Sequence, residues 1–477
     1  MKKSLEDPDR GALLQDLARL KSDDDDAVQQ HPKWFLPLEA HGRALRPETL
    51  VVRGGRGAGK SALFHFLGHL ETYPSLANAM PTLPAQTRWL EGFSGAASHP
   101  SAAVVGQFAL TATDDERRFF WFGWLCARVA LLLELQLPGA ALDRAVRDKD
   151  PTAIADFTRV HLVQLTAWLD ERERTAPDSI TVSYDSLDRI GTSSDERRAL
   201  TASLLAMWLS LGDRYRRIRP KIFVREDLFQ AACTAFPDAS KLDARSVSLD
   251  WRVEDLYRVL IKHMANVSED LKGWIEESNR GIPLTWAGDL GWTPPPKLAE
   301  DGRPSQKGFV DHLAGEWMGD GPKKGMTYRW IPNRLQDAHA SAVPRSILSL
   351  IRNTAEVALA RSPKAKNLRL LHPEELVLAL EKTSKRRSEE VLEEFPVVSR
   401  LENLRGKAVM IDRSLVVKAL ARRVREDDNA GDDGDAVLRE LCDLGVMSER
   451  PNKRVDIPDI YRYHFGIKRK GGVKRPR

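Results

Sequence analysis

Apolar residues recur with two different periods along the first half of the chain. Short apolar or β-branched runs at 50–52, 179–184, 221–224 and 245–249 have the length and composition of buried strands. Amphipathic stretches follow them, with apolar residues every three or four positions at 62–70, 195–211 and 253–264. This alternation of strand and helix predicts an α/β fold, in which helices cover both faces of a parallel sheet.

One glycine-rich segment connects the first strand to the first helix. Residues 54–61 fit the pattern G-x-x-x-x-G-K-[ST], in which backbone N–H groups surround a β-phosphate. Lys60 would add a cation for the β and γ oxygens, and Ser61 would offer a hydroxyl to Mg²⁺. The alternative is a glycine-rich surface turn. The pattern predicts a phosphate-binding loop formed by Gly54, Gly55, Arg56, Gly57, Ala58, Gly59, Lys60, Ser61 and Ala62.

A carboxylate follows the second of these strands. Asp185 comes directly after the run 179–184, and parallel sheets bind ligands at the carboxyl ends of their strands. We therefore expect Asp185 to hold Mg²⁺ through water. Because Thr181 and Ser183 make the run less apolar than most inner strands, an edge strand followed by a turn is the alternative.

Taken together, residues 54–61, 185–189, 224–227, 249–251 and 344–348 resemble the P-loop ATPases of the broad AAA+ class. The likeness is greatest to the STAND, KAP and origin-recognition branches and to ATPases of bacterial phage-defence loci. It covers about residues 31–360, and only the glycine-rich motif is specific by itself. The resemblance implies ATP and Mg²⁺ as cofactors, ATP hydrolysis, a homo-oligomer and a role in bacterial antiviral defence.

The resemblance also implies roles for two arginines. Arg225 falls in the region of the sensor-1 strand, and Arg345, opening the helix 346–355, would act as a sensor-2 arginine on the γ-phosphate. The alternative for Arg345 is a helix-start residue in solvent, because proline favours the first turn of a helix for local reasons.

Two departures from the family pattern affect the expected chemistry. Ser186 stands where many relatives have a glutamate that polarises the attacking water. Asp188 is then the first candidate for the base and Glu226 the second, and hydrolysis is expected to be slow. Arg189 is a candidate contact to a neighbouring subunit. The segment 281–325, rich in Gly, Pro and Trp, is interpreted as a long insertion.

The C-terminal part predicts helices at 374–385, 388–394, 414–425 and 436–444, then a hairpin over 446–457 with its turn at Pro451 and Asn452. This order resembles a winged-helix domain, a module that binds nucleic acid or docks onto a protein. The net charge of the chain is +5, and the end of the chain carries cations without acids. These cations favour nucleic acid. The candidate contacts are Arg450, Lys453, Arg454, Lys468, Arg469 and Lys470.

These features divide the 477 residues into six segments. They are an N-terminal extension (1–30), a P-loop ATPase core (31–270), an insertion or connector (271–335), a helical lid-like region (336–400), a winged-helix domain (401–467) and a basic tail (468–477). The acidic run 23–26 predicts a solvated linker rather than a metal site.

Composition is typical of a cytoplasmic protein. The three cysteines lack disulfide or metal spacing, and the chain begins without an apolar signal region. Arg128 and Glu134 interrupt the apolar run 119–137, which therefore predicts a buried helix and not a membrane span.

The expected function is that of an ATPase whose nucleotide state controls nucleic-acid binding or a partner effector. A signalling scaffold is the alternative, with little hydrolysis and a winged helix that recruits a protein. ABC-type ATPase and GTPase signatures are missing, whereas a small-molecule kinase built on the same loop stays open.

Overall fold

The computed structural model describes residues 7–21, 31–68, 87–191, 193–277, 281–361 and 369–469. The chain forms two compact units, the sheet unit (Gln29–Asp250) and the helical unit (Met1–Val28 together with Trp251–Arg477). The division falls at Asp250, whereas the sequence interpretation extended the ATPase core to residue 270. The acidic run 23–26 and the last eight residues, 470–477, lie outside the described residues.

The first helix, α1 (Asp7–Ala18), belongs to the helical unit. The sheet unit then contains, in chain order, α2 (Glu39–Ala44), β1 (Val51–Gly54), α3 (Lys60–Gly68), β2 (Thr87–Phe93), α4 (Ala102–Thr111), α5 (Asp114–Leu132), α6 (Ala140–Arg147), α7 (Pro151–Val160), α8 (Leu162–Thr175), β3 (Ser179–Tyr184), α9 (Ser194–Arg214), β4 (Ile218–Arg225), α10 (Glu226–Cys233), α11 (Ser240–Asp243) and β5 (Ser246–Ser248).

The five strands of this unit form one parallel sheet in the order β2-β3-β4-β1-β5. Strand β3 pairs with β2 on one side and with β4 on the other, so the edge-strand alternative for residues 179–184 is wrong. The sequence interpretation missed β2, which is an edge strand. The predicted α/β fold with a parallel sheet is confirmed, and it is the fold of a P-loop NTPase.

A helical insertion, α4 to α8, lies between β2 and β3 in the chain. Its longest helix, α5, begins at a capping box formed by Thr113 and Glu116. Its buried residues lie between Phe120 and Ala130, within the run 119–137 that the sequence predicts as a buried helix, whereas Leu131 and Leu135 are exposed. The indole N–H of Trp124 donates to the carbonyl of Gly92 at 2.8 Å, and Arg128 Nε donates to the carbonyl of Glu91 at 2.8 Å. Helix α5 is thereby bonded directly to the backbone of strand β2.

The helical unit continues with α12 (Val253–Val267), α13 (Glu269–Glu277), β6 (Thr285–Trp286), β7 (Trp292–Thr293), α14 (Gln306–Leu313), α15 (Thr327–Leu335), α16 (Pro344–Ala360) and α17 (Pro373–Leu392). Helix α1 packs against α12, α13 and α16 and buries Leu13, Leu14 and Leu17. The segment 281–325, which the sequence interpretation gave as a long insertion, contains the β6–β7 hairpin and α14. Helix α17 is continuous where the sequence interpretation gave two helices.

The last described part of the chain folds around a three-stranded sheet. A 3₁₀ helix (Pro396–Leu404) is followed by β8 (Ile411–Asp412), α18 (Arg413–Leu420), α19 (Gly434–Asp443), β9 (Ser448–Arg450), β10 (Arg454–Asp456) and α20 (Asp459–Arg462). The three strands are antiparallel in the order β8-β10-β9. The helix predicted over 414–425 ends earlier, at Leu420. None of the described helices is long and apolar enough to cross a membrane.

Candidate phosphate-binding site at the carboxyl edge of the sheet

The loop between β1 and α3 has the backbone that its glycines permit. Gly57 and Gly59 have φ angles of 81° and 90°, in the left-handed region where other residues are strained. A Cβ on Gly54 would lie 3.1 Å from the Cβ of Ala58, so the loop is also closely folded on itself. The loop leads straight into α3, whose N-terminus is a favourable position for an anion.

Lys60 is held inside this loop. Its ammonium donates to the carbonyls of Gly54 at 2.9 Å and Gly55 at 3.0 Å, and the residue is 9% exposed. Burial lowers the pKa of Lys60 to about 8, against the opposing effect of the Asp185 carboxylate. A bound phosphate would favour the charged form of this ammonium and offer it a better acceptor than a carbonyl.

Asp185 lies where β3 ends, next to the loop. Its backbone N–H donates to the carbonyl of Phe93 at 2.8 Å, which fixes the end of β3 against the end of β2. Burial raises the pKa of the Asp185 carboxyl, while a hydrogen bond from Ser61 and the charge of Lys60 act in the opposite direction. The sheet therefore brings together Lys60, Ser61 and Asp185 as the sequence predicts.

A hydroxyl and a carboxylate are oxygen ligands of the kind that Mg²⁺ accepts. No group of three or more His, Cys, Asp or Glu side chains within the described ranges could hold a metal ion by itself. Mg²⁺ typically binds through one or two protein ligands and completes its coordination with water and phosphate oxygens. Ser61 and Asp185 thus fit an ion that arrives with a phosphate ligand.

Arg225 comes from the end of β4, which lies between β1 and β3. Its guanidinium makes two hydrogen bonds with Asp227, both of 3.0 Å, and its Nη1 lies 3.9 Å from the Asp188 carboxylate. Asp188 itself lies on a 3₁₀ turn, Leu187–Arg189, which begins after Ser186 with its left-handed φ of 58°. The charges of Asp188, Arg225 and Asp227 all act on Lys60.

The second candidate base has different neighbours. A carboxylate oxygen of Glu226 lies 3.4 Å from Arg53 Nη1 and accepts a hydrogen bond of 2.9 Å from Gln230. The charge of Asp188, by contrast, acts on both Lys60 and Asp185. Of the two candidates, Asp188 is the one that the sheet places with Lys60 and Asp185.

Arg345 belongs to the helical unit and is described there by itself. It stands at the start of α16, its side chain is only 18% exposed, and its Nη1 lies 3.6 Å from Glu390 of α17. The alternative of a helix-start residue in solvent is therefore wrong. The contact of Arg345 with a γ-phosphate stays a prediction.

The candidate nucleic-acid contacts have unequal surroundings. Arg450 pairs with Asp456 at 2.8 Å and Arg469 pairs with the buried Asp459 at 2.7 Å, whereas Lys453 and Arg454 are exposed at the hairpin turn. The backbone of Lys468 bridges to Ala408, so the first residues of the expected tail belong to the folded domain. Lys470 lies outside the described residues.

Sequence reasoning missed two neighbours of the site, Arg53 and Asp227, and the strand β2. Asp227 directly follows Arg225 and Glu226, so the charged triplet at a strand end was a usable signal. Strand β2 was hard to find because its sequence contains Arg88, Glu91 and Gly92.

Comparisons with known proteins find solved structures that have low similarity to this chain. No family model matches the chain, and no curated protein matches it. Among solved structures, the chain is similar to a Walker-type ATPase of Pyrococcus abyssi, with 14% identity, a TM-score of 0.39 and coverage of 94% of this chain and 99% of that one. It is also similar to the ORC2 protein of Aeropyrum pernix, in a structure described as ADPNP–ADP complexes, with 12% identity, a TM-score of 0.41 and coverage of 97% and 93%.

A third similar structure is Cdc6p of Pyrobaculum aerophilum, with 14% identity, a TM-score of 0.30 and coverage of 96% of this chain and 91% of that one. At these identities and TM-scores the likeness carries no argument about ligands or activity. The P-loop NTPase fold rests instead on the strand order and on the loop between β1 and α3.

Proposed function

We propose that the sheet unit binds ATP with Mg²⁺ and hydrolyses it slowly, in the manner of an AAA+ or STAND-like switch ATPase. The observation that carries the proposal is the convergence of Lys60, Ser61 and Asp185 on one strand edge, beside a loop whose glycine φ angles permit inward-facing N–H groups. In this assignment the loop backbone and Lys60 hold the phosphates, and Ser61 and Asp185 hold the ion. The ion would neutralise charge on the transferred phosphoryl group.

Slow hydrolysis is proposed because the position after Asp185 lacks a base. The candidate base Asp188 lies instead on the following 3₁₀ turn, 3.9 Å from the Arg225 guanidinium. Ser186 cannot replace the glutamate of the related enzymes, since a serine hydroxyl is not a base at neutral pH.

The test of ATP binding is the substitution Lys60→Ala in the full chain. Loss of a charge-assisted contact should weaken the affinity for Mg·ATP about 10- to 100-fold, as measured by calorimetry. The matched control is Lys241→Ala, which removes an exposed lysine of the same unit that pairs with Asp238. Unchanged affinity in the Lys60 variant would overturn the assignment of the loop.

We propose that the C-terminal domain is a winged helix whose binding to a partner depends on the nucleotide state of the sheet unit. The support is its element order, one 3₁₀ helix, a strand, two helices and a hairpin, around an antiparallel sheet. Lys453 and Arg454 at the exposed turn would contact phosphates of a nucleic acid. Control of a nucleic acid or an effector in antiviral defence, which the family resemblance implies, remains a prediction.

One observation favours the second candidate, docking onto a protein. Helix α19, which precedes the hairpin, exposes Glu440 and Asp443 beside a single cation, Arg439. An acidic helix face is repelled by a phosphate backbone, whereas it suits a partner with a basic surface. The scaffold function would then need ATP binding but little turnover.

Salt dependence separates these two candidates. If the hairpin turn contacts phosphates of a duplex, Lys453→Gln with Arg454→Gln should flatten the slope of log affinity against log salt by about 2 units. The control is Arg423→Gln with Arg425→Gln, whose guanidinium groups pair with Asp432 and Asp427. No binding of DNA or RNA at low ionic strength, with or without ATP, would exclude the nucleic-acid candidate.

A further inference from the structure

A second strand-loop-helix unit lies in the sheet unit, at the carboxyl end of β2. Residues 94–98, which we call the β2 loop, are all small, and they lead into α4 through Pro100 and the N-cap Ser101. Gly95 has a left-handed φ of 74°. In parallel sheets such a connection at the carboxyl end of a strand is a common position for an anionic ligand.

The backbone donors of the β2 loop are available. Within the described part of the chain, the N–H groups of Gly95, Ala96 and Ala97 make no backbone hydrogen bond, and the only backbone bond inside this loop runs from His99 N–H to the Ala96 carbonyl. Successive unpaired N–H groups in a loop with one left-handed residue form a concave anion-binding surface.

The β2 loop borders a cavity of about 630 Å³. Small-molecule sites usually have volumes of about 300 to 1,000 Å³, so a ligand of nucleotide size would fit. The cavity is also lined by the N-terminal residues Ser101, Ala102 and Val104 of α4 and by two cations, Lys149 and Arg189. The α4 N-terminus directs helix-end N–H groups toward this space, and the charged side chains of the wall are two cations and two acids, Asp148 and Asp150.

A buried side chain of the cavity wall lacks a partner. His99 is fully buried at its side chain, its Nδ1 lies 3.5 Å from a Glu91 carboxylate oxygen, and its Nε2 has no hydrogen-bond partner among the described residues. Burial, followed by the charge of Arg128, lowers the pKa of His99 to about 4, so the ring is neutral at pH 7. A buried polar nitrogen without a partner is costly, and the ring would have to turn for its Nε2 to reach a ligand in the cavity.

The two acids of the cavity wall have different surroundings. Asp150 uses its carboxylate to cap α7, accepting from the N–H groups of Thr152 and Ala153 at 3.0 Å each. Asp148 is the remaining carboxylate, and it is exposed. It would accept a hydroxyl or amino group from the uncharged part of a ligand.

We propose that this cavity is a second ligand site, which binds a small phosphate ester with its phosphate on the β2 loop, the α4 N-terminus, Lys149 and Arg189. The site is separate from the Lys60 loop but next to the same strand ends, because Phe93 of the cavity wall accepts the Asp185 N–H. Arg189 also shares its 3₁₀ turn with Asp188. A ligand here would contact the segment that carries the candidate base.

The test uses radiolabelled inorganic pyrophosphate and equilibrium dialysis of the full chain at low ionic strength. We expect two bound equivalents per chain, one at each site. Lys60→Ala should remove one equivalent, and Lys149→Gln with Arg189→Gln should weaken the other at least about tenfold, since each lost cation removes a charge-assisted contact. Glutamine keeps an N–H donor for the Ala97 carbonyl that Lys149 now bonds.

The matched control is Arg147→Gln with Arg198→Gln. These arginines lie on neighbouring surface, pair with Asp143 and Asp195, and do not line the cavity, so both equivalents should remain. A single equivalent in the unsubstituted chain, or a second equivalent that survives loss of Lys149 and Arg189 charge, would overturn the proposal. Because Lys60→Ala reports on the other site separately, failure of the ATP assignment and failure of this proposal give different results.

Discussion

Lys60 and Asp185 are buried ionisable groups whose pKa values shift toward neutrality, in opposite directions. Burial lowers the pKa of the lysine to about 8 and raises that of the carboxyl. Each group also opposes the shift of the other through its charge. A phosphate anion and a metal cation arriving together would stabilise both charged forms. Without a ligand, the protein therefore compensates the buried charges of Lys60 and Asp185 poorly. A metal–phosphate ligand would compensate both.

The roles of two neighbouring acids can be separated by substitution. Asp188→Asn should keep ATP affinity and lower kcat about 100-fold or more if Asp188 is the base. Asp185→Asn should instead raise the Mg²⁺ concentration needed for ATP binding. Steady-state turnover and calorimetry at several Mg²⁺ concentrations measure the two effects.

A control for these variants is Asp195→Asn, which changes an exposed acid at the start of α9 that pairs with Arg198. Asp195→Asn should change neither kcat nor the Mg²⁺ concentration needed for ATP binding. Full turnover in the Asp188 variant would show that the base lies elsewhere, and an unaltered Mg²⁺ requirement in the Asp185 variant would remove Asp185 from the ion site.

Individual elements show how far the sequence could predict this fold. Strands β1, β3, β4 and β5 were predictable because apolar runs and turn residues are local signals. The glycine-rich loop between β1 and α3, which contains Lys60, was predictable for the same reason. The pairing of Asp188 with Arg225 was not, since it depends on which strand lies beside β3, and neighbouring strands need not be consecutive in the chain.

Helix α17 shows a second limit. The sequence interpretation broke it at Arg386 and Arg387, although its buried face continues through Thr383, Ser384 and Ser388. Hydroxyl side chains can be buried in a helix when a backbone carbonyl accepts their proton, and Thr383 donates to the Ala379 carbonyl at 2.9 Å. A pattern based on apolar residues alone does not detect a buried face that is made partly of hydroxyl side chains.

Gly434, the first residue of α19, allows the packing of α19 against α18 to be tested. A Cβ on Gly434 would lie 2.0 Å from the backbone oxygen of Val417, so Gly434→Ala must move α19 away from α18. We expect a loss of about 1 to 3 kcal/mol in stability, measured by urea unfolding. Hydrogen exchange should show the loosening within α18 and α19.

Gly431→Ala is the control for that substitution. Nothing lies within 4 Å of a Cβ at Gly431, and the variant keeps the backbone carbonyl that accepts a hydrogen bond from Arg400. Equal stability of the two variants would mean that the close approach of α18 and α19 is not important for folding.

At the scale of the whole molecule, the helical unit is built from two separate parts of the chain. Helix α1 packs with α12, α13 and α16, although more than 200 residues of the sheet unit intervene. A domain boundary inferred from composition cannot detect this two-part unit, because its contacts join distant parts of the sequence. The N-terminal extension of the sequence interpretation is in part an integral helix of this unit.

A nucleotide-dependent change of the molecule is predicted to need Arg345. Arg345→Ala should leave ADP affinity nearly unchanged and abolish the difference in protease pattern between ADP and a non-hydrolysable ATP analogue. Arg352→Ala is a close control, because Arg352 lies on the same helix with an equally exposed side chain of 18% and pairs with Glu356. If the unsubstituted chain gives one pattern with both nucleotides, no such change exists.

The hydrogen bonds from α5 to β2 also affect the edge of the sheet. An edge strand offers unpaired backbone groups to any extended segment of another chain, which is a route to aggregation. Here Trp124 and Arg128 occupy the carbonyls of Gly92 and Glu91. The helical insertion thus occupies two carbonyls of an edge that would otherwise be free for intermolecular pairing, and shortening this insertion is expected to increase aggregation.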